Sequence, residues 1–145
     1  MGTARAGIGT LLQMAPTTSP TNFTTIALVG DIGGPSMTAG TYDSTTQDVT
    51  DGYKTFITGL KDGGEVTFPL FFDASEATHK DASGGLVDAF NNSLLNYWRI
   101  KIADQSPQVN WTFRGVVTKL DFSFPVDGIQ KCNATIKVSG KATLA

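Results

Sequence analysis

Histidine and cysteine each occur once in this 145-residue chain, as His79 and Cys132. They lie far apart in sequence, and no serine sits in an elbow motif, so no nucleophile–base pair can be assembled from local signals. Three carboxylates, Asp43, Asp48 and Asp51, fall close enough to suggest calcium. Their spacing misses the twelve-residue loop pattern, and no glutamate closes it. Asp62, Asp73, Asp104, Asp121 and Asp127 are scattered over turn-like stretches. Two of them meeting across space would make a glycosidase-type pair, but aspartate's preference for turns favours solvated loops. The glycines of Gly30-Asp31-Ile32-Gly33-Gly34-Pro35 lack the Gly-Lys-Ser/Thr and the helix that a phosphate loop requires. The residues therefore point to no catalytic, cofactor-binding or metal site.

Charge narrows the partners. The net charge is -2 and the pI about 5.2, whereas a nucleic-acid grip needs a basic patch. A surface past which DNA slides without sticking remains compatible, since like charges repel. Arg99, Lys101, Arg114, Lys119, Lys131 and Lys137 fall on polar phases of neighbouring strands with acids nearby, as on a wet or paired face. A single cysteine forms no intrachain disulfide. No apolar stretch approaches the roughly 20 residues of a membrane helix. A cytoplasmic origin and no membrane partner are expected.

The elements that position these residues are mostly strands. Trp98, Ile100 and Ile102 alternate with Arg99 and Lys101, and Val109 to Val117 alternates in the same way. Leu120, Phe122 and Phe124 follow, then Cys132, Ala134, Ile136 and Val138. Period two gives each strand one buried and one wet face. That phase makes Cys132 a small core residue. Phe23 to Val29 reads as an earlier strand, and Glu65 to Phe72 as another that buries Val66, Phe68, Leu70 and Phe72. Pro69 cannot donate a ladder bond and marks that strand as an edge. Edges are where chains meet. Asp62-Gly63-Gly64 is a turn signal. Asp73 to Asn92 carries the helical spacing, with His79 near its start and Gly84-Gly85 weakening it. Residues 1–22 read as a flexible N-terminal arm ahead of a single domain, 23–145. Residues 40–60 read as one long loop, of the kind that carries function.

Three stretches together resemble the tail tube protein (major tail protein) of long-tailed bacteriophages. One is Thr58-Gly59-Leu60-Lys61-Asp62-Gly63-Gly64-Glu65-Val66-Thr67-Phe68. The second is Asp73-Ala74-Ser75-Glu76-Ala77-Thr78-His79, then the helix and Trp98-Arg99-Ile100. The third runs from Phe124-Pro125-Val126-Asp127-Gly128-Ile129 into Ala134-Thr135-Ile136-Lys137-Val138-Ser139-Gly140. Their order and spacing carry the likeness over Phe23 to Leu144.

The resemblance implies a mainly β fold of two packed antiparallel sheets, a β-sandwich or barrel, with one flanking α-helix. It implies a structural virion protein, not an enzyme, without cofactors. Its copies would form hexameric rings stacked into a hollow tail tube, assembled in the bacterial host cytoplasm. DNA and the tape-measure protein would pass through the lumen, and other tail proteins would be partners. On that footing Tyr42, Asp43, Asp48, Asp51, Tyr53 and Phe56 in the long loop become candidates for contact with the next ring. Glu65, Thr67 and Pro69 become candidates for the inter-subunit edge. The arm is a second candidate for contact, ordering as it docks. The alternative from another class is a β-sandwich carbohydrate-binding module displaying Tyr42, Tyr53 and Trp111. A small hydrolase built on Asp62 or Asp73 is a third reading. The charge balance yields a test of its own. Gel shift at physiological salt should show no binding of duplex DNA beyond that of a neutral protein, and tight binding would contradict the reading.

Overall fold

The computed structural model describes residues 2–145, so Met1, the first residue of the expected arm, lies outside the described residues. The elements run β1 (Leu11–Ala15), β2 (Thr24–Thr25), β3 (Thr38–Asp43), β4 (Phe56–Asp62), β5 (Glu65–Phe71), α1 (Leu86–Asn91), β6 (Asn96–Lys101), β7 (Asn110–Ser123) and β8 (Lys131–Leu144). Six strands form one sheet in the order β2-β1-β6-β7-β8-β5, and β3-β4 form a second, two-stranded sheet. Every pairing is antiparallel. The fold is thus mainly β, with two antiparallel sheets and one short helix.

Alternation selects the core. Val66, Phe68 and Leu70 of β5, Trp98 and Ile100 of β6, and Cys132, Ala134, Ile136 and Val138 of β8 are all buried on one side. A fully buried side chain of this size contributes about 1.5–3 kcal/mol. Trp98 is wholly enclosed, and its indole N–H donates to the carbonyl of Gly115 at 2.9 Å. Gly115 has no room for a side chain, since a Cβ there would stand 2.6 Å from Ile136 Cγ2.

The two ends of the large sheet are joined by a single run of chain. Thr24 and Thr25 pair with β1, and the amide of Ile26 donates to Leu12 O at 2.9 Å. Further along, Val29 bridges Leu70 and Gly33 bridges Thr67 on the far side of β5. The sheet therefore curls until residues 24–36 close it. Midway, at Ala27, the chain has left β1 and not yet reached β5. Two side chains meet it there. Thr78 Oγ1 accepts from the Ala27 amide at 3.2 Å, and the His79 ring lies 2.6 Å from the Ala27 carbonyl through Nε2. His79 Nδ1 accepts from the Asp73 amide at 3.2 Å, so the proton sits on Nε2 and donates to Ala27 O. His79 is fully buried and stacked on Phe72.

Several expectations are corrected. Residues 11–15, placed in the arm by sequence, form β1 inside the sheet between β2 and β6. Leu12, Gln13, Met14 and Ala15 are all buried, so no alternation marks the strand. Gln13 is satisfied there by Thr25 Oγ1 at 3.0 Å and by Arg99 Nε at 2.6 Å. The strand expected at Phe23–Val29 shrinks to Thr24–Thr25, and Leu28 turns the chain at φ 60°. The loop expected at 40–60 is largely the β3–β4 hairpin, with residues 44–55 as its true loop. The helical pattern read within 73–92 is a short helix, Leu86–Asn91, closed at Asn92 as the sequence indicated. Gly84 (φ 88°) and Gly85 end it on the N-terminal side, and a Cβ on Gly85 would stand 1.8 Å from Lys80 O.

β7 unites two stretches that read as separate strands. Its register against β8 shifts between Val117 and Lys119. The extra residue moves the inward face from Phe113 and Val117 to Leu120, and the exposed Phe122 ring beyond it meets Phe72 edge-on at 4.9 Å.

The closure at Ala27 yields a stability prediction. His79→Ala removes a fully buried ring and takes away the partner of the Ala27 carbonyl and of the Asp73 amide. It should cost about 2–4 kcal/mol in urea unfolding. A loss under about 0.5 kcal/mol, typical of an indifferent surface position, would show that the ring holds nothing.

Candidate assembly surface

The polar side chains that hold the β3–β4 hairpin are local to it. Asp43 Oδ1 accepts from the Thr45 amide at 2.9 Å, and Asp51 Oδ1 from the Tyr53 amide at 3.0 Å. Asp48 accepts from the Thr46 hydroxyl. Ser44 and Thr55 close the loop through a 2.8 Å backbone bond. These three carboxylates each organise their own turn, and the Thr45 contacts draw the Asp43 carboxyl below its ordinary range. Among the described residues no group of three acids, histidines or cysteines is placed to hold a metal ion.

The hairpin's aromatic and aliphatic side chains are open. Tyr42, Tyr53, Phe56, Ile57 and Leu60 are all exposed, Leu60 to 91 %. The Tyr42 ring lies across Gly59, where a Cβ would come within 2.6 Å of Cε2. Among the described residues neither β3 nor β4 has a second strand partner, so both outer borders of the hairpin present backbone with no strand beside it. A two-stranded hairpin standing alone is marginal in water.

A hinge ties the hairpin to the body. Asp62 Oδ1 accepts from the Gly64 amide at 2.8 Å, and Lys137 Nζ stands 3.0 and 3.2 Å from the two carboxylate oxygens. The Gly64 N–H and then the Lys137 ammonium pull the Asp62 carboxyl below its ordinary value. Gly64, at φ 74°, admits no side chain because a Cβ would fall 1.8 Å from Ser36 O. Its carbonyl accepts from the Val138 amide at 3.0 Å. Beyond this point the hairpin leaves β8, and a cleft of about 690 Å³ opens between Met37, Thr38, Ala39 and Lys61 on one side and Gly140 and Ala142 on the other.

Among the described residues two further borders lack strand partners. β5 reaches β8 only as far as Lys137, so Ser139–Leu144 have no strand on that side. β6 reaches β7 only as far as Gly115, so Val116–Ser123 have none on the other. The β7–β8 tip is apolar and open, with Phe124 exposed and Val126 at 100 %. Sequence reasoning missed these borders, because they follow from where β5 and β6 stop.

Glu65, Thr67 and Pro69, expected to form an open inter-subunit edge, sit on β5 with that edge covered. Gly33 N and O meet Thr67 O and N at 2.8 and 2.9 Å, Gly30 N meets Pro69 O at 2.8 Å, and Ser36 N meets Glu65 O at 3.3 Å. The strand is an end strand of its sheet, as Pro69 suggested, but residues 28–36 occupy its border.

The single histidine and cysteine serve the interior. Cys132 is a free, buried thiol pushed up by desolvation. Residues 2–10 carry no strand; there Arg5 donates to Asp104 O at 2.6 Å and pairs with its carboxylate at 3.2 Å. No long apolar helix able to cross a membrane occurs among the described residues.

A curled antiparallel sheet with one short helix and a projecting hairpin is an architecture seen in particle tails. The tail of an empty gene transfer agent particle with C6 symmetry superposes with a TM-score of 0.76 at 18% identity, over 98% of this chain and 99% of that one. The sheath/tube terminator of an extracellular contractile injection system gives 0.71 at 11% identity, over 99% and 98%. The SPP1 tail tube gives 0.64 at 11% identity, over 93% and 75%. No curated protein sequence matches the chain. Residues 8–145 match the Lambda phage tail tube protein (TTP) family, and the chain belongs to that family. Its role is structural, that of a tube-forming protein of the virion.

The hinge can be tested by titration. A carboxyl with a lowered pKa lends stability above its ordinary range, which is lost as pH falls through the lowered value. Carbon-detected NMR should find Asp62 below free aspartate, and Lys137→Ala should move it upward while the Gly64 contact keeps it low. An Asp62 titration unchanged by Lys137→Ala would show that the ammonium does not hold the hinge.

Proposed function

We propose that copies of this chain join border to border into six-membered rings, and that the rings stack into a hollow tail tube. The observation that carries the reading is the placement of unpaired strand borders. One lies on β7 at Val116–Ser123; the other lies on β8 at Ser139–Leu144, with the β3–β4 hairpin beside it. They occupy opposite sides and opposite ends of one β7–β8 ribbon. A contact between unlike borders is heterologous and closes into a ring when the rotation allows. The diagonal offset suits a barrel, whose strands tilt and stagger as it closes. The sixfold symmetry of the gene transfer agent tail supports a ring of six.

In this arrangement the hairpin bridges two copies. One of its borders faces β8 of its own chain, and the other meets β7 of the neighbour. The loop 44–55, with Tyr53 at its end, reaches toward the next ring, and Tyr42 and Phe56 at the strand ends gain cover there. Ordering a marginal hairpin against a neighbour joins folding to assembly. The lumen passes DNA and the tape-measure protein without specific grip, in keeping with the net charge of -2. Other tail proteins cap the ends. The chain works without catalysis or cofactor, and assembly takes place in the bacterial host cytoplasm.

Negative-stain microscopy of the purified chain tests this reading. Rings or tubes are expected as concentration rises, and featureless monomers at every concentration would contradict it. Deleting residues 42–55 should leave a folded, soluble monomer or ring that cannot lengthen. Tubes growing from that variant would remove the loop from the ring-to-ring contact.

A further inference from the structure

The border of β5 is covered by hydrogen bonds along its whole length. Residues 65, 67, 69 and 71 direct their backbone polar groups away from β8, toward residues 28–36. Glu65 O takes Ser36 N–H, Thr67 exchanges both bonds with Gly33, Pro69 O takes Gly30 N–H, and Phe71 N–H reaches Leu28 O at 3.1 Å. At residue 69 the border needs no acceptor for an amide, because proline has no N–H, and the Glu65 N–H is the one amide of these four residues that the segment does not take up. The covering segment is itself mostly exposed, with only Val29 and Ile32 partly buried against the core. Its entry is clamped at Ala27 by Thr78 and His79, both buried. Along its course Ile32 packs against the core and Gly33 lies close to Thr67, where a Cβ would stand 3.1 Å from Oγ1.

We propose that residues 28–36 are an edge guard, which bars β5 from pairing with other copies and so leaves β7, β8 and the β3–β4 hairpin as the borders through which the chain assembles. An uncovered, regular edge would accept any strand in reach. A chain with three usable borders would branch or close wrongly, whereas two opposed borders permit one direction of growth. The guard rests on the tube reading for its purpose, but its presence is read from the isolated chain.

The test locks the guard in place. Gly33 and Thr67 form a hydrogen-bonded antiparallel pair, for which the Cα separation is about 5.5 Å, within disulfide reach. In the double variant Gly33→Cys with Thr67→Cys, the oxidised chain should build tubes with no loss of tube mass against the same protein kept reduced. Oxidised chains that stay unassembled while the reduced ones form tubes would overturn the guard, since the segment would then have to leave for β5 to pair. A second measurement uses the wild-type chain before assembly. Hydrogen exchange at the Thr67 and Phe71 amides should be slowed at least about a hundredfold relative to open chain. Exchange at the unprotected rate would also overturn the guard. Absence of tubes from the wild type itself counts against the tube reading, and amide protection then still decides the guard.

Discussion

A strand cannot leave its backbone N–H and C=O groups dry and unpaired, and this requirement organises the whole molecule. The large sheet meets it at both ends with one stretch of chain. Residues 24–26 complete β1, residues 28–36 complete β5, and the gap between is bridged at Ala27 by the hydroxyl of Thr78 and the ring of His79. Curling the sheet shut also encloses Trp98, Phe68 and Ile136. The only histidine in the chain is thus spent on closure. Its two nitrogens serve as one donor and one acceptor, a pairing available to the neutral ring and to no aliphatic side chain.

The same requirement is left unmet at several other borders. The hairpin of β3 and β4, the upper half of β7 and the last residues of β8 present borders with no strand beside them. Exposed apolar side chains gather there too, at Leu60, Phe56 and the Val126 tip. The pairing of a covered border with open ones gives the molecule a direction. Such a direction suits the structural, tube-forming role of a tail tube protein.

How much of this was legible in the sequence depended on whether a residue's surroundings were local. The strands of the last third could be read because each has one face in the core and one in water, so alternation survives. The turn at Asp62-Gly63-Gly64 could be read because its glycine conformation and aspartate cap are set within three residues. β1 was hidden because both its faces are covered, and Gln13 in its middle finds partners in Thr25 and Arg99 that no spacing announces. The hairpin within 40–60 was hidden for the opposite reason: nearly all of it is exposed, so no alternation marks it. β7 read as two strands because a bulge shifts its phase after Val117. Pro69 marked an end strand, but what lies beside that strand comes from residues 28–36, 29 to 43 positions before the residues they cover. Among the contact candidates, Asp43, Asp48 and Asp51 proved to shape their own loop, while Tyr53 and Phe56 lie open.

The central claim is that the vacant flank of one subunit is filled by another. A helical reconstruction of assembled particles, at a resolution that separates strands, examines it directly. The account predicts a strand from a neighbouring copy hydrogen-bonded along Val116–Ser123. Finding that flank bathed in solvent, or covered by its own polypeptide, would contradict it.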